Sequence, residues 1–168
     1  MRRVFLAVTL GGVLLAGTAC DSDAPPAAAA PTVVTPSTVP TTPPPDYSAN
    51  TRKVCGRVDK IFDSGLKAFG TEVGRMIAYK EAKVPAEVKK SQKAAGDRLK
   101  AVARSIRKES SAAQDPALKT AGAVSATKFT KAAADTRFFN SIKSQKDFDR
   151  IIEGRLSQWQ SPLSGYCA

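Results

Sequence analysis

One apolar seam constrains this chain more than any other feature. Cys55, Val58, Phe62, Leu66, Phe69, Val73 and Met76 follow one another at spacings of 3, 4, 4, 3, 4 and 3. Steps of three and four return to one face of an α-helix, so the seam predicts a single long helix from Thr51 to Ala82 with one buried side. Ile61 and Ile77 widen the seam. Val84-Pro85 marks its end, because a residue before proline avoids helical geometry. Met76 reads as core filling. The charged neighbours Asp59 and Asp63, flanked by Lys60 and Lys67, read as a solvated face.

Three further helices follow by the same logic. Pro85 suits a first helical turn, and Val88, Gln92, Ala95, Leu99, Val102 and Ile106 form the second seam. Asp115-Pro116 pairs an N-cap with a proline at the first helical position. A third helix then runs to about Asp135, with Leu118, Ala121, Val124, Phe129 and Ala132 inward. Phe138, Phe139 and Ile142 read as an apolar turn. Ser144-Gln145-Lys146-Asp147 reads as a capping box with Asp in place of Glu, opening a fourth helix through Phe148, Ile151, Ile152, Leu156 and Trp159. Pro162 and Gly165 end it. No segment alternates with period two over a useful length, so the expected fold is all-α, an antiparallel four-helix bundle over residues 48–168. Gly70-x-x-x-Gly74 in the first helix resembles a close-packing motif and predicts a neighbouring helix against it. A small-ligand groove along the same glycines is the alternative.

The N-terminal quarter of the chain reads differently. Met1-Arg2-Arg3 precedes a short apolar run, Val4 to Ala16, and then Gly17-Thr18-Ala19-Cys20. A basic start, an apolar run and small residues form a secretory leader. The run is too short to span a bilayer, which takes about 20 apolar residues. Small residues directly before a cysteine resemble the lipobox of bacterial lipoproteins, although the leucine sits at Leu15 and Gly17 takes its usual place. The resemblance implies removal of residues 1–19, a diacylglycerol on the Cys20 thiol, and a position at the extracytoplasmic face of the cell membrane. Gly17-Thr18-Ala19 also fits ordinary small-x-small cleavage, which would release a free secreted protein. Arg2-Arg3-Val4-Phe5-Leu6 is similar to a twin-arginine export signal. Residues 20–47 follow as anchor and stalk. Eight of the chain's 11 prolines fall there among Ala, Thr, Val and Ser, a composition that stays disordered and favours polyproline-II geometry. At ~3.1 Å per residue the stalk would reach roughly 80 Å when extended. Its Thr, Ser and Pro also resemble an O-glycosylated stalk.

The lipobox bears on the cysteines. The chain has 3. With Cys20 acylated, Cys55 and Cys167 remain as an even pair for an oxidising compartment. An even number of antiparallel helices brings both to one end of the bundle, so a Cys55–Cys167 disulfide is expected.

Charge and missing residue types limit the chemistry. There is no histidine, which removes the commonest general base and metal ligand. Di-metal bundle sites need Glu-x-x-His, and c-type haem needs Cys-x-x-Cys-His. No serine has a recognisable base beside it. No enzymatic activity, metal or cofactor is therefore expected. The whole chain carries 26 Lys and Arg against 15 Asp and Glu. Removing Arg2 and Arg3, and then Asp21, Asp23 and Asp46, leaves 24 bases and 12 acids on the domain. The second helix concentrates this excess. Lys90, Lys93, Asp97, Lys100, Arg104 and Arg107 follow at 3, 4, 3, 4 and 3, a basic stripe opposite the seam. It is the candidate anion-binding face, with anionic wall polymer, lipid headgroups or an acidic protein as partner. A solvated outer surface is the alternative. No aromatics interleave the stripe, and an exported protein meets no nucleic acid. The expected role is a membrane-anchored, non-enzymatic binding or structural module; a carrier or sensor holding a small ligand between helices is the other reading. Oligomeric state has no signature here. The domain resembles small uncharacterised lipoproteins of high-GC Gram-positive bacteria, which implies an address and no mechanism.

Overall fold

The computed structural model describes residues 43–167. The expected leader, Cys20 and the expected stalk up to residue 42 lie outside the described residues. Five helices run in order: α1 (Ser48–Glu81), α2 (Pro85–Ser111), α3 (Pro116–Ala134), α4 (Thr136–Ser141) and α5 (Gln145–Gln160). There is no strand among the described residues, and no helix there is long and apolar enough to cross a membrane. The all-α class is as expected, but the described helices number five rather than four.

The seam of α1 is buried at Cys55, Val58, Phe69, Val73 and Met76; Phe62 and Leu66 are half-buried against the core, and Val54, outside the seam, is fully enclosed. α1 turns into α2 through Ala82, Lys83 and Val84. The turn is a Schellman motif: Lys83 N–H donates to the Lys80 carbonyl at 3.1 Å and Val84 N–H to Tyr79 at 3.0 Å. Lys83 holds the left-handed position at φ 57°, a place usually taken by glycine.

α1 and α2 pack antiparallel. Arg57 pairs with Glu109, Gly65 meets Val102, and Arg98 reaches Glu72 at 3.8 Å. Glu72 is a buried carboxylate of α1 that also takes Arg75 at 3.2 Å. α2 and α3 pack antiparallel as well, because Gly122 meets Ser110 and Gly96 meets Ala133. These are the two extended interfaces, and α5 meets α3 over a shorter one.

Asp115 caps α3 as expected, its carboxylate accepting from Ala117 N–H at 2.8 Å. Val124 does not face inward; it is 44 % exposed. The buried face runs through Leu118, Gly122, Ser125, Phe129 and Ala132, and Val124 lies about 100° from Ser125 on the helix. Its small, polar neighbours hid the true seam.

The expected apolar turn is α4. Asp135 caps it by accepting from Arg137 and Phe138 N–H. At the other end Lys80 Nζ donates to the Phe139 carbonyl at 3.1 Å and to Ile142. Burial, with Lys143 nearby, lowers the Lys80 pKa from its ordinary 10.5. α4 buries Phe138 and Phe139 and opens an aromatic cluster. Phe69 lies 6.4 Å from Phe138 and 6.1 Å from Phe148, and Trp159 lies 5.2 Å from Phe129 and 5.7 Å from Phe138. α5 is fixed on this cluster and by Ser125 Oγ, which donates to the Trp159 carbonyl at 2.9 Å.

α5 starts with Ser144 as N-cap, its Oγ accepting from Asp147 N–H at 3.2 Å. The return bond of a capping box differs from its usual form. Asp147 accepts from the N–H of Lys143 at 3.3 Å, one residue before the cap. The chain then turns, with Tyr166 and Cys167 N–H both donating to the Leu163 carbonyl at 3.0 and 2.9 Å. Cys167 joins Cys55 in a disulfide with Cα atoms 5.2 Å apart. An odd count of equal helices would have separated these cysteines. They meet because α4 is only 6 residues long and redirects the chain without crossing the domain.

Candidate anion-binding face

α2 is the middle helix of the α1–α2–α3 order, so each flank of its outer face borders a neighbour. All five cations of the stripe, Lys90, Lys93, Lys100, Arg104 and Arg107, are exposed. They do not form one uniform surface. Lys90 leans to the α1 side, where it pairs with Glu87 at 3.5 Å and lines a groove of about 260 Å³ with Glu72, Arg75 and Tyr79. Lys93 and Lys100 lean to the other side and line a groove of about 240 Å³ with Ala133, Ala134, Thr136 and Phe139. Arg104 and Arg107 make no ion pair among the described residues.

Asp97 sits between Lys93 and Lys100, at 2.8 Å from the first and 3.5 Å from the second. The hydrogen bond from Lys93 holds the Asp97 carboxyl below the ordinary carboxylate value, and the same bond raises Lys93. One carboxylate thus neutralises part of two cations. The flexible ammonium groups remain free to exchange it for an external anion, since exposed pairs of this kind are screened by solvent and bind only weakly.

Lys89 belongs to this face although the stripe pattern passed over it. It lines the groove beside Lys93 and Lys100. Its spacing of 4 and 11 residues from them returns to within about 40° of one helical line. Lys89 also borders a second groove of about 500 Å³ at the α1–α2 turn, with Tyr79, Lys83, Val84, Pro85 and Val88. That end is partly apolar, and Val84 is 39 % exposed.

The glycines of α1 do not behave as expected. A β-carbon at Gly70 or Gly74 would meet nothing within 4 Å, so no helix packs on that motif. The close approaches are at Gly65, Gly96 and Gly122. A shallow groove of about 180 Å³ lies against Gly65, bordered by Ile61, Ser64, Ala68 and Arg98. No protein-family model, curated protein or solved structure matches this chain.

Proposed function

We propose that this chain is a lipid-anchored, extracytoplasmic binding module without enzymatic activity, whose α2 face engages anionic envelope components or an acidic partner. Cys20 carries the anchor in this reading, and residues 20–47 hold the helical domain away from the membrane surface. The observation that supports it best is the distribution of charge on α2. Five exposed cations share the faces of one helix, Arg104 and Arg107 stand without an ion pair among the described residues, and Asp97 is divided between two lysines. Like charges at helical spacings oppose the helix by a few tenths of a kcal/mol per pair, and an external anion relieves that repulsion.

Co-sedimentation with anionic vesicles and with cell-wall fractions tests the reading. Binding should weaken as salt rises, and a variant with Lys90, Lys93, Lys100, Arg104 and Arg107 all changed to Gln should lose it. Equal binding by that variant would overturn the proposal. A diacylglycerol mass on Cys20 in protein recovered from membranes tests the anchor. The ligand-carrier reading has less support, since Gly70 and Gly74 face open space rather than a cleft between helices.

A further inference from the structure

The two grooves beside α2 share Lys89 and Gln92 in their walls, so they adjoin along the helix. From Val84 at the turn to Lys100, this grooved flank follows α2 for about 24 Å at ~1.5 Å per residue. Its two ends differ in chemistry. The turn end has Tyr79, Val84, Pro85 and Val88 in its walls. The far end has Lys89, Lys93 and Lys100 along α2, facing Ala133 and Thr136 at the α3–α4 junction. Lys80 also borders the turn end, but its ammonium is committed to the Phe139 and Ile142 carbonyls. Asp97 is the carboxylate in the lining of the far end.

We propose that this groove binds an extended acidic peptide segment of a partner protein. An apolar side chain of the peptide sits between Tyr79, Val84 and Val88, and its carboxylates meet Lys89, Lys93 and Lys100. The proposal deepens the reading of the α2 face given above and rests on it. Three arguments select this occupant. A wholly polar polyanion has no use for the apolar end. An amphiphile with a single head brings one anionic group to lysines spread over about 17 Å of helix. An extended peptide of about seven residues spans the groove at ~3.4 Å each and carries both kinds of group. Gln92, Thr136 and Asn140 border the groove, and their amides and hydroxyl can bond a peptide backbone. Lys83 adds a cation at the turn end from a φ of 57°, a left-handed position where glycine is the more stable residue.

Fluorescence anisotropy on the full chain tests the assignment. The probes are a labelled nonapeptide of glutamates with one central phenylalanine, the same peptide without phenylalanine, and its glutamine counterpart. Inorganic polyphosphate and phosphatidylglycerol vesicles serve as competitors and are also titrated directly into the unlabelled protein by calorimetry. The phenylalanine-containing acidic peptide should bind best. Lys93→Gln with Lys100→Gln should weaken it about tenfold, and Val84→Ser should abolish its advantage over the peptide lacking phenylalanine. Asp97→Asn should tighten binding by releasing both lysines, a gain that misfolding cannot produce. Lys60→Gln with Lys67→Gln on α1 should leave the peptide affinity within about twofold, since both are exposed and neither borders the groove. Peptide binding that ignores the Lys93, Lys100 and Val84 changes overturns the assignment. Binding of vesicles or polyphosphate without any peptide binding overturns it too, while leaving the broader reading of the basic face intact. Binding of no probe at all sinks both.

Discussion

Gly96 on α2 lies so close to Ala133 on α3 that a β-carbon at Gly96 would stand 2.8 Å from the Ala133 carbonyl oxygen. A backbone oxygen cannot swing aside as a side chain can. The approach therefore sets the spacing of α2 and α3, and with it the width of the groove that Lys93 and Lys100 border. Gly96→Ala should lower stability by about 1–3 kcal/mol through overpacking. Gly70→Ala, where nothing lies within 4 Å, should raise it by about 0.5–1 kcal/mol through helix propensity. Urea unfolding midpoints of the two variants should move in opposite directions. A shift of the same sign in both would refute this account of the interface.

Lys80 bridges α1 to the end of α4 through the Phe139 and Ile142 carbonyls. Lys80→Met keeps the length of the stem and removes both hydrogen bonds. The cost should be about 1–3 kcal/mol. It should be felt first at α4, as faster amide exchange in Phe138 to Ile142 than in the middle of α1. Unchanged exchange there would mean that the bond is replaced by water without consequence.

Lys83 occupies a left-handed position at φ 57° within a Schellman turn whose other hydrogen bonds are intact. Lys83→Gly should stabilise the domain by about 1 kcal/mol. The same change removes a cation from the turn end of the groove. Thermal unfolding and peptide affinity should therefore move apart, with stability rising and affinity falling.

The Cys55–Cys167 disulfide spans a sequence separation of 112 residues. A crosslink over so long a loop stabilises by up to ~4.7 kcal/mol in the chain-entropy model. Reduction, or Cys55→Ser with Cys167→Ser, should lower the unfolding midpoint accordingly. Non-reducing mass mapping of exported protein should recover one peptide pair joining these cysteines, and two free thiols would contradict it.

Asp147 ties the start of α5. Partial burial acts to raise its carboxyl, but hydrogen bonds from Ser144 and the Lys143 backbone, with Arg150 nearby, hold it below the ordinary 3.8. A carboxyl whose folded pKa is depressed favours folding above its unfolded pKa. That contribution is lost as pH falls through the folded value. Unfolding followed by circular dichroism between pH 5 and pH 2 (a range chosen about the ordinary carboxylate pKa) should show Asp147→Asn flattening the acid limb of the stability curve. An unchanged acid limb would show that Asp147 contributes no pH-dependent stability.

Much of the domain was legible in residue spacing. The α1 seam, the Pro85 and Asp115-Pro116 starts and the Ser144 cap each rest on contacts within one helical turn, and short-range geometry is what a sequence pattern encodes. The misreadings share a cause as well. Apolar character stands in for burial and points Val124 inward, yet α3 buries Gly122 against Ser110 of α2 and Ser125 against the Trp159 carbonyl of α5. Gly70-x-x-x-Gly74 has the form of a contact motif, while the contacts fell on Gly65, Gly96 and Gly122. Whether a glycine is needed depends on what another helix brings to it. Phe138 and Phe139 read as a turn because six residues are too few to display a period, and α4 is held instead by Asp135 and Lys80 from either end.

The basic face divides in the same way. Its charge, and the exposure of Lys90, Lys93, Lys100, Arg104 and Arg107, follow from the amphipathic pattern of α2 alone. The sequence by itself therefore determined an all-α domain with a cationic second helix, because helical periodicity and charge are local properties of the chain. Only the tertiary structure decided that Lys90 turns toward α1, that Lys89 joins Lys93 and Lys100, and that the groove at Val84 adjoins theirs through Lys89 and Gln92. Those relations depend on which flank of α2 each neighbouring helix covers, and that is settled by packing between residues far apart in the chain.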